Sequence, residues 1–154
     1  MKCLRFAIAA SLCMLAVASC KKNDSTPTGP AALVGKWQGQ KVQVVYSLNG
    51  QQQGDTTLNI TSPNYLILDF RADSTLIINS RLSFFGDSTG TTDTTYYLVK
   101  SGKIVLTNNL QDTNGYEQAD YQLSGSQLLL HEEQTDTTQQ GVEKNEITFY
   151  LQRM

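Results

Sequence analysis

Tyr97-Leu-Val-Lys-Ser-Gly-Lys-Ile-Val-Leu106 (YLVKSGKIVL) decides how this chain is read. Two runs rich in aromatic and β-branched residues flank Ser101-Gly102, a pair suited to a two-residue hairpin turn. A turn there sets Val99 opposite Ile104 and Tyr97 opposite Leu106, so apolar side chains meet across the ladder. The pattern returns 24 residues later as Tyr121-Gln-Leu-Ser-Gly-Ser-Gln-Leu-Leu-Leu130 (YQLSGSQLLL). With Gly125-Ser126 as its turn, Leu123 faces Leu128 and Tyr121 faces Leu130. One supersecondary unit is used twice.

Alternation of period two extends outward from these hairpins. Val42, Val44, Tyr46 and Leu48 share one parity, Leu66, Leu68 and Phe70 another set, then Leu76, Ile78 and Leu82, and finally Ile147, Phe149 and Leu151. No stretch after residue 35 carries an apolar stripe at helical spacing. The count is eight strands, near 35–48, 64–70, 75–82, 92–100, 103–109, 115–123, 127–134 and 144–153. Leu58 and Ile60 suggest a short ninth, which Pro63 would end. Segments 71–74, 101–102 and 124–126 read as short turns, and 49–63, 83–91 and 135–143 as long polar loops. In an up-and-down meander alternate connections share an end. The layout expected is a cup, stitched at one end and looped at the other.

The amino terminus reads differently. Lys2 and Arg5 precede Phe6 to Ala18, an apolar run broken only by Ser11. As helix it rises about 20 Å, short of the roughly 20 residues that span a bilayer. A basic start, a short apolar core and small residues before a cut form the signal-peptide pattern. Val17-Ala18-Ser19-Cys20 resembles the lipobox of bacterial lipoproteins, which implies cleavage after Ser19 and acylation of Cys20. Several acyl chains give lasting attachment where one does not. The alternative is an ordinary secreted protein with Cys20 incidental. Residues 1–19 are thus read as signal, 20–32 as a polar tether carrying Pro27 and Pro30, and 33–154 as the domain. By the same resemblance, Lys21 in place of Asp beside the anchor points to the outer membrane of the cell envelope.

Processing would leave 135 of the 154 residues, with ten basic against 14 acidic, a balance of −4. Cys3 and Cys13 would depart with the signal, so no disulfide could brace the domain. No basic cluster with interleaved aromatics is present, which argues against a nucleic-acid partner.

Gly35-Lys36-Trp37 resembles the G-x-W that opens the first strand of lipocalins. Together with Leu33-Val34, the string from Tyr65 to Thr75 (YLILDFRADST) and the two Tyr-led hairpins, it is similar to the lipocalin-like domains of Bacteroidota lipoproteins. The resemblance spans roughly 33–153 and implies an all-β, antiparallel, up-and-down eight-stranded barrel. Ser74 stands where the family's D-G-T turn has Gly, so a looser or differently typed turn is expected. The resemblance also implies a barrel floor in which Arg153 lies across Trp37, within about 6 Å of the ring and favourable by roughly 0.5–2 kcal/mol. Trp37 is odd where Val42 to Leu48 face inward on even numbers, and Gly39 is the natural place for a bulge that resets the parity. Closeness to the anchor turns this floor toward the membrane and the loops away.

Candidate ligand contacts are Tyr46, Phe84, Tyr97, Glu117, Tyr121 and Glu132. Glu117 and Glu132 share the inward parity near the looped end on adjacent strands, where two carboxyl groups could hold a polar ligand group or simply be solvated at a rim. His131, the single histidine, takes the outward parity with no Cys or second His nearby, so no metal, cofactor or catalytic set is expected. Seven of the nine Asp residues precede Ser or Thr, far more than 29 Ser and Thr in 154 residues would place there by chance. Turn formation explains this through side-chain to backbone bonds. Asp-Ser/Thr-Thr also resembles the O-glycosylation sequence of exported Bacteroidota proteins, with Thr94 and Thr137 the most accessible acceptors. A binding module for a small hydrophobic molecule is favoured over an enzyme, and a cavity above about 300 Å³ would support that. A filled barrel acting as a structural or protein-binding accessory of the envelope is the alternative.

Overall fold

A computed structural model describes residues 30–83 and 89–154. The signal segment, Cys20, most of the tether and Phe84 lie outside the described residues. One helical turn, α1 (Pro30–Leu33), leads into nine strands: β1 (Gly35–Leu48), β2 (Gln51–Asn59), β3 (Tyr65–Phe70), β4 (Thr75–Arg81), β5 (Thr91–Lys100), β6 (Lys103–Thr107), β7 (Glu117–Ser124), β8 (Gln127–Thr138) and β9 (Gly141–Arg153). Strands β1 and β3 through β9 pair antiparallel in sequence order, and β9 returns to β1. The result is a closed eight-stranded up-and-down barrel with β2 as an extra strand on β1. It is consistent with a lipocalin-like fold.

Both hairpins take the register that their side chains require. Tyr97 pairs with Leu106 and Val99 with Ile104, while Tyr121 pairs with Leu130 and Leu123 with Leu128. Ser101 and Gly102 both have positive φ, as a type I′ turn demands, whereas at the second hairpin only Gly125 does, as in type II′. Inward residues of every barrel strand meet in one core that includes Trp37, Leu68, Phe70, Tyr97, Leu128 and Leu151.

Two segments read as loops are strands. Residues 49–63 hold β2, which is longer and begins earlier than the short strand suggested by Leu58 and Ile60. Residues 135–143 complete β8 and begin β9 around Gln139-Gln140. Their threonines are polar yet β-branched and fit an extended backbone exposed to water. Asn49-Gly50, with φ of 53° and 76°, is the standard type I′ hairpin pair and marks the turn into β2. The tips of the two long hairpins are joined, since Asn49 donates its backbone N–H to the Val142 carbonyl at 2.8 Å and its Oδ1 accepts from the Val142 N–H at 2.9 Å. Segment 108–116 is a connection that does run without strand at this end, and the tight turns 71–74, 101–102 and 125–126 share the opposite end.

The register of β1 against β9 slips between Gly39 and Lys41. Gly39 and Trp37 are therefore buried on odd numbers and Val42 on an even one. A Cβ on Gly39 would sit 2.8 Å from Ile60 Cδ1 and 3.0 Å from Leu66 Cβ, so the close approach of these strands needs glycine. At the floor, Trp37 pairs across the ladder with Arg153, whose Cζ lies 4.3 Å from the indole centroid. The indole N–H donates to the Leu33 carbonyl at 2.7 Å. The guanidinium donates to the Val34 carbonyl at 3.0 Å and to the Ala32 carbonyl, so it locks α1 against the barrel bottom. Ser74 takes the left-handed conformation (φ 66°), with the Asp73 carboxylate accepting from the Thr75 N–H at 3.0 Å. The turn thus keeps the geometry glycine would favour.

Candidate functional site

Inside the barrel lies a cavity of about 230 Å³. Its wall is built from inward side chains of β3, β4, β6, β8 and β9, chiefly Leu66, Leu68, Phe70, Leu76, Ile78, Ile104, Leu106, Leu130 and Phe149. Alternation alone puts them there. The space exists because two inward positions are small. Ala119 on β7 and Ser80 on β4 both line it, where neighbouring strands carry Leu, Ile or Phe. Tyr97 packs edge-on to the lining residue Phe70 with centroids 5.0 Å apart, and its hydroxyl donates to the Arg71 carbonyl at 2.9 Å. Burial pushes its phenol above the usual range, helped by the negative charge of Asp73.

Glu117 and Glu132 are the acidic side chains lining this cavity. Their position follows from strand lengths. The β7–β8 ladder runs only from Asp120↔His131 to Ser124↔Gln127. Below it in sequence β7 continues to Glu117 along β6, while β8 continues to Thr138 along β9. The two strands therefore diverge above the ladder, and a groove of about 360 Å³ opens between them, lined by Tyr116, Gln118, Glu133, Gln134, Asn145, Ile147 and the same two glutamates. Glu117 and Glu132 stand where groove and cavity meet. Glu132 is half-buried, opposite Ile147. Burial, then the charge of Glu117 and a hydrogen bond with it, push its carboxyl up to about 7 from an ordinary 4.5. Near neutral pH Glu132 is therefore partly protonated.

Of the six ligand contacts expected from the sequence, the structure brings Glu117 and Glu132 together at the cavity. Tyr97 packs against its lining residue Phe70. Tyr121 is half-buried and packs against the core, and Tyr46 lies on the long hairpin, opposite Gly54 and Asn145. Phe84 is outside the described residues. Ala119 and Ser80 went unremarked in the sequence, although a small inward residue among large ones is the signal for such a space. Larger by volume, at about 500 Å³, is a depression on the outer wall lined by outward side chains such as Gln40, Lys41, Gln127 and Gln152. Leu129 and Tyr150 share its lining with these polar side chains, and among the described residues no acidic one does.

His131 is not isolated. Its ring, Glu133 and Glu146 bring donor atoms within 4.8 Å of one another on the outer face. Lys144 already occupies that position, at 2.9 Å from Glu133 and 2.5 Å from Glu146, and it holds the Glu146 carboxyl below its usual range. His131 Nδ1 is 3.0 Å from the Thr148 hydroxyl. An ammonium between two carboxylates is an ion-pair network. Thr94 and Thr137 are exposed, but both lie within strands, opposite Ile77 and Val142 respectively, and not in loops.

No family model matches the chain, and no curated protein matches it in sequence.

Proposed function

We propose that this protein is a lipid-anchored module of the bacterial cell envelope whose barrel binds a small, largely apolar molecule. The observation that carries the reading is the cavity: about 230 Å³, apolar walls, and two carboxyl groups at its one polar margin. Sites for small molecules combine an apolar lining with a few placed polar groups in this way. The volume is below the roughly 300 Å³ expected of a cup for drug-sized cargo, which excludes pigments and long lipids as full occupants. A cavity of about 150 Å³ lined by Leu, Ile and Phe takes benzene. This one suits a molecule half as large again.

The anchor rests on the signal pattern and Val17-Ala18-Ser19-Cys20. Among the described residues no helix is long and apolar enough to cross a membrane, so attachment in this reading falls to the lipid on Cys20. Cys20→Ala should abolish labelling by palmitate, and continued labelling would refute the anchor.

The cavity is tested by toluene or indole binding to isotope-labelled protein, followed through amide and methyl shifts. Shifts should centre on Leu68, Ile104 and Leu130. Ala119→Leu should fill the space and remove binding without loss of stability. Binding that survives Ala119→Leu, or no binding at millimolar ligand, returns the barrel to the role of a filled structural or protein-binding accessory.

A further inference from the structure

We infer that the cavity takes a small hydrophobic amine, with its hydrocarbon part in the barrel and its ammonium group between Glu117 and Glu132 at the β7–β8 opening. The inference rests on the ligand-binding reading above and narrows it to a chemical class.

Three observations lead to it. Among the described residues the wall offers the body of a ligand no polar side chain apart from the Ser80 hydroxyl, so the polar end belongs at the margin. Both acidic side chains of that margin converge there, one from β7 and one from β8. No Lys or Arg lines either the cavity or the adjoining groove among the described residues. A carboxylate ligand would meet two carboxyl groups with no counter-charge. A neutral donor would gain one or two ordinary hydrogen bonds. An ammonium group supplies three donors and a positive charge, which offsets the burial and then the Glu117 charge that keep Glu132 protonated. Size agrees: scaled from benzene in about 150 Å³, the cavity holds roughly nine non-hydrogen atoms, such as a ring with a two-carbon arm.

The groups that face Glu132 are few. Glu117 approaches from β7, and β9 presents Ile147 and Asn145. On β8 itself, His131 and Glu133 point to the outer face, where Lys144 and Glu146 of β9 also lie. Glu133 and Tyr116 also line the groove, with Glu133 paired to Lys144. Among the described residues Glu117 and Glu132 are thus the acidic groups of the cavity itself. With Glu132 half-protonated near pH 7, an amine should gain affinity as pH rises from 6 to 8.

The experiment compares phenethylamine, the isosteric phenethyl alcohol and phenylacetate by calorimetry on the full-length protein, with empty-micelle blanks. The amine should bind about tenfold tighter than the alcohol at pH 8, with phenylacetate weakest, a ratio equivalent to about one charge-assisted hydrogen bond. The Glu117→Gln/Glu132→Gln double variant should remove the amine's advantage, leaving amine and alcohol within about twofold of each other. Should that variant fail to fold, the wild-type amine-to-alcohol ratio must still increase between pH 6 and pH 8. Equal affinity for amine and alcohol at both pH values, or preference for phenylacetate, overturns the amine while leaving a ligand cavity in place. If none of the three binds, both readings fall.

Discussion

Replacing Glu132 with Gln should make the protein more stable at alkaline pH and remove most of its stability change between pH 5 and 8. In the folded chain Glu132 keeps its proton up to about pH 7, against an ordinary value of 4.5. Between those values the folded state binds more protons than the unfolded state, so unfolding free energy decreases as pH rises through that window. A difference of about 2.5 units at about 1.36 kcal/mol each sets an upper bound of roughly 3.4 kcal/mol. Water reaches part of the carboxyl through the groove, and screening leaves about 1–2 kcal/mol. Gln keeps the shape and can still hydrogen-bond Glu117. Urea titrations at intervals from pH 5 to 8.5 should show wild type losing that amount and Glu132→Gln nearly level. The two should agree at pH 5 and diverge above pH 7. Glu146 and Asp73 are shifted downward by Lys144 and by the Thr75 N–H respectively, so their contributions are lost only as pH falls below the ordinary carboxylate range. An equal slope in wild type and variant would refute the burial of a protonated Glu132.

Arg153→Ala should cost about 1–3 kcal/mol, since the indole contact and two carbonyl partners are lost together, and Arg153→Lys should recover less than half. A change under about 0.5 kcal/mol in urea unfolding would mean that the floor is not held by this residue. Ser74→Gly should raise the melting temperature by a few degrees. Relief of the left-handed strain, about 1–2 kcal/mol, exceeds the added chain entropy of about 0.5–1 kcal/mol, and a lower melting temperature would show that the Ser side chain is needed. If Asp-Thr-Thr sites are glycosylated in the native cell, peptide masses should place the sugar on Thr94 or Thr137, both exposed, and an intact mass equal to chain plus acyl groups would rule that out.

What the sequence revealed about the barrel, it revealed through parity. Val99↔Ile104 and Leu123↔Leu128 could be written down in advance because each inward residue needs an inward partner and the turns admit only one register. The bulge at Gly39 was legible for the same reason, as a break in parity between two apolar sets. Strands β2 and the outer half of β8 were not. With water on both faces, residues 51–57 and 135–138 have no apolar alternation to display, so of β2 only the part near Leu58 was legible. Glu117 and Glu132 could be paired by parity and position near the mouth. The cavity beside them could not, because its volume depends on Ala119 of β7 and Ser80 of β4 together, a relation between distant strands that no local pattern carries.

The opening at Glu117 and Glu132 has its origin in strand length. Strand β9 runs 13 residues and β8 runs 12, while β7 has eight and β6 five. One wall of the barrel is therefore taller than the other, and its upper half has no neighbour beyond His131. The connection 108–116 keeps β7 short: the Tyr116 N–H donates to the Leu106 carbonyl at 3.0 Å, and Gly115 lies too close to that carbonyl, 2.3 Å from a Cβ, to accept a side chain. The chain is thus held against β6 just before Glu117 and directed away from β8. Three more pairs would carry Glu117 opposite Gln134 and close the gap, burying Glu117 and Glu132 as diagonal neighbours on the inner face at an electrostatic cost. Carboxyl groups at this place and a short β7 are consequences of each other. The barrel stays open where its charge is.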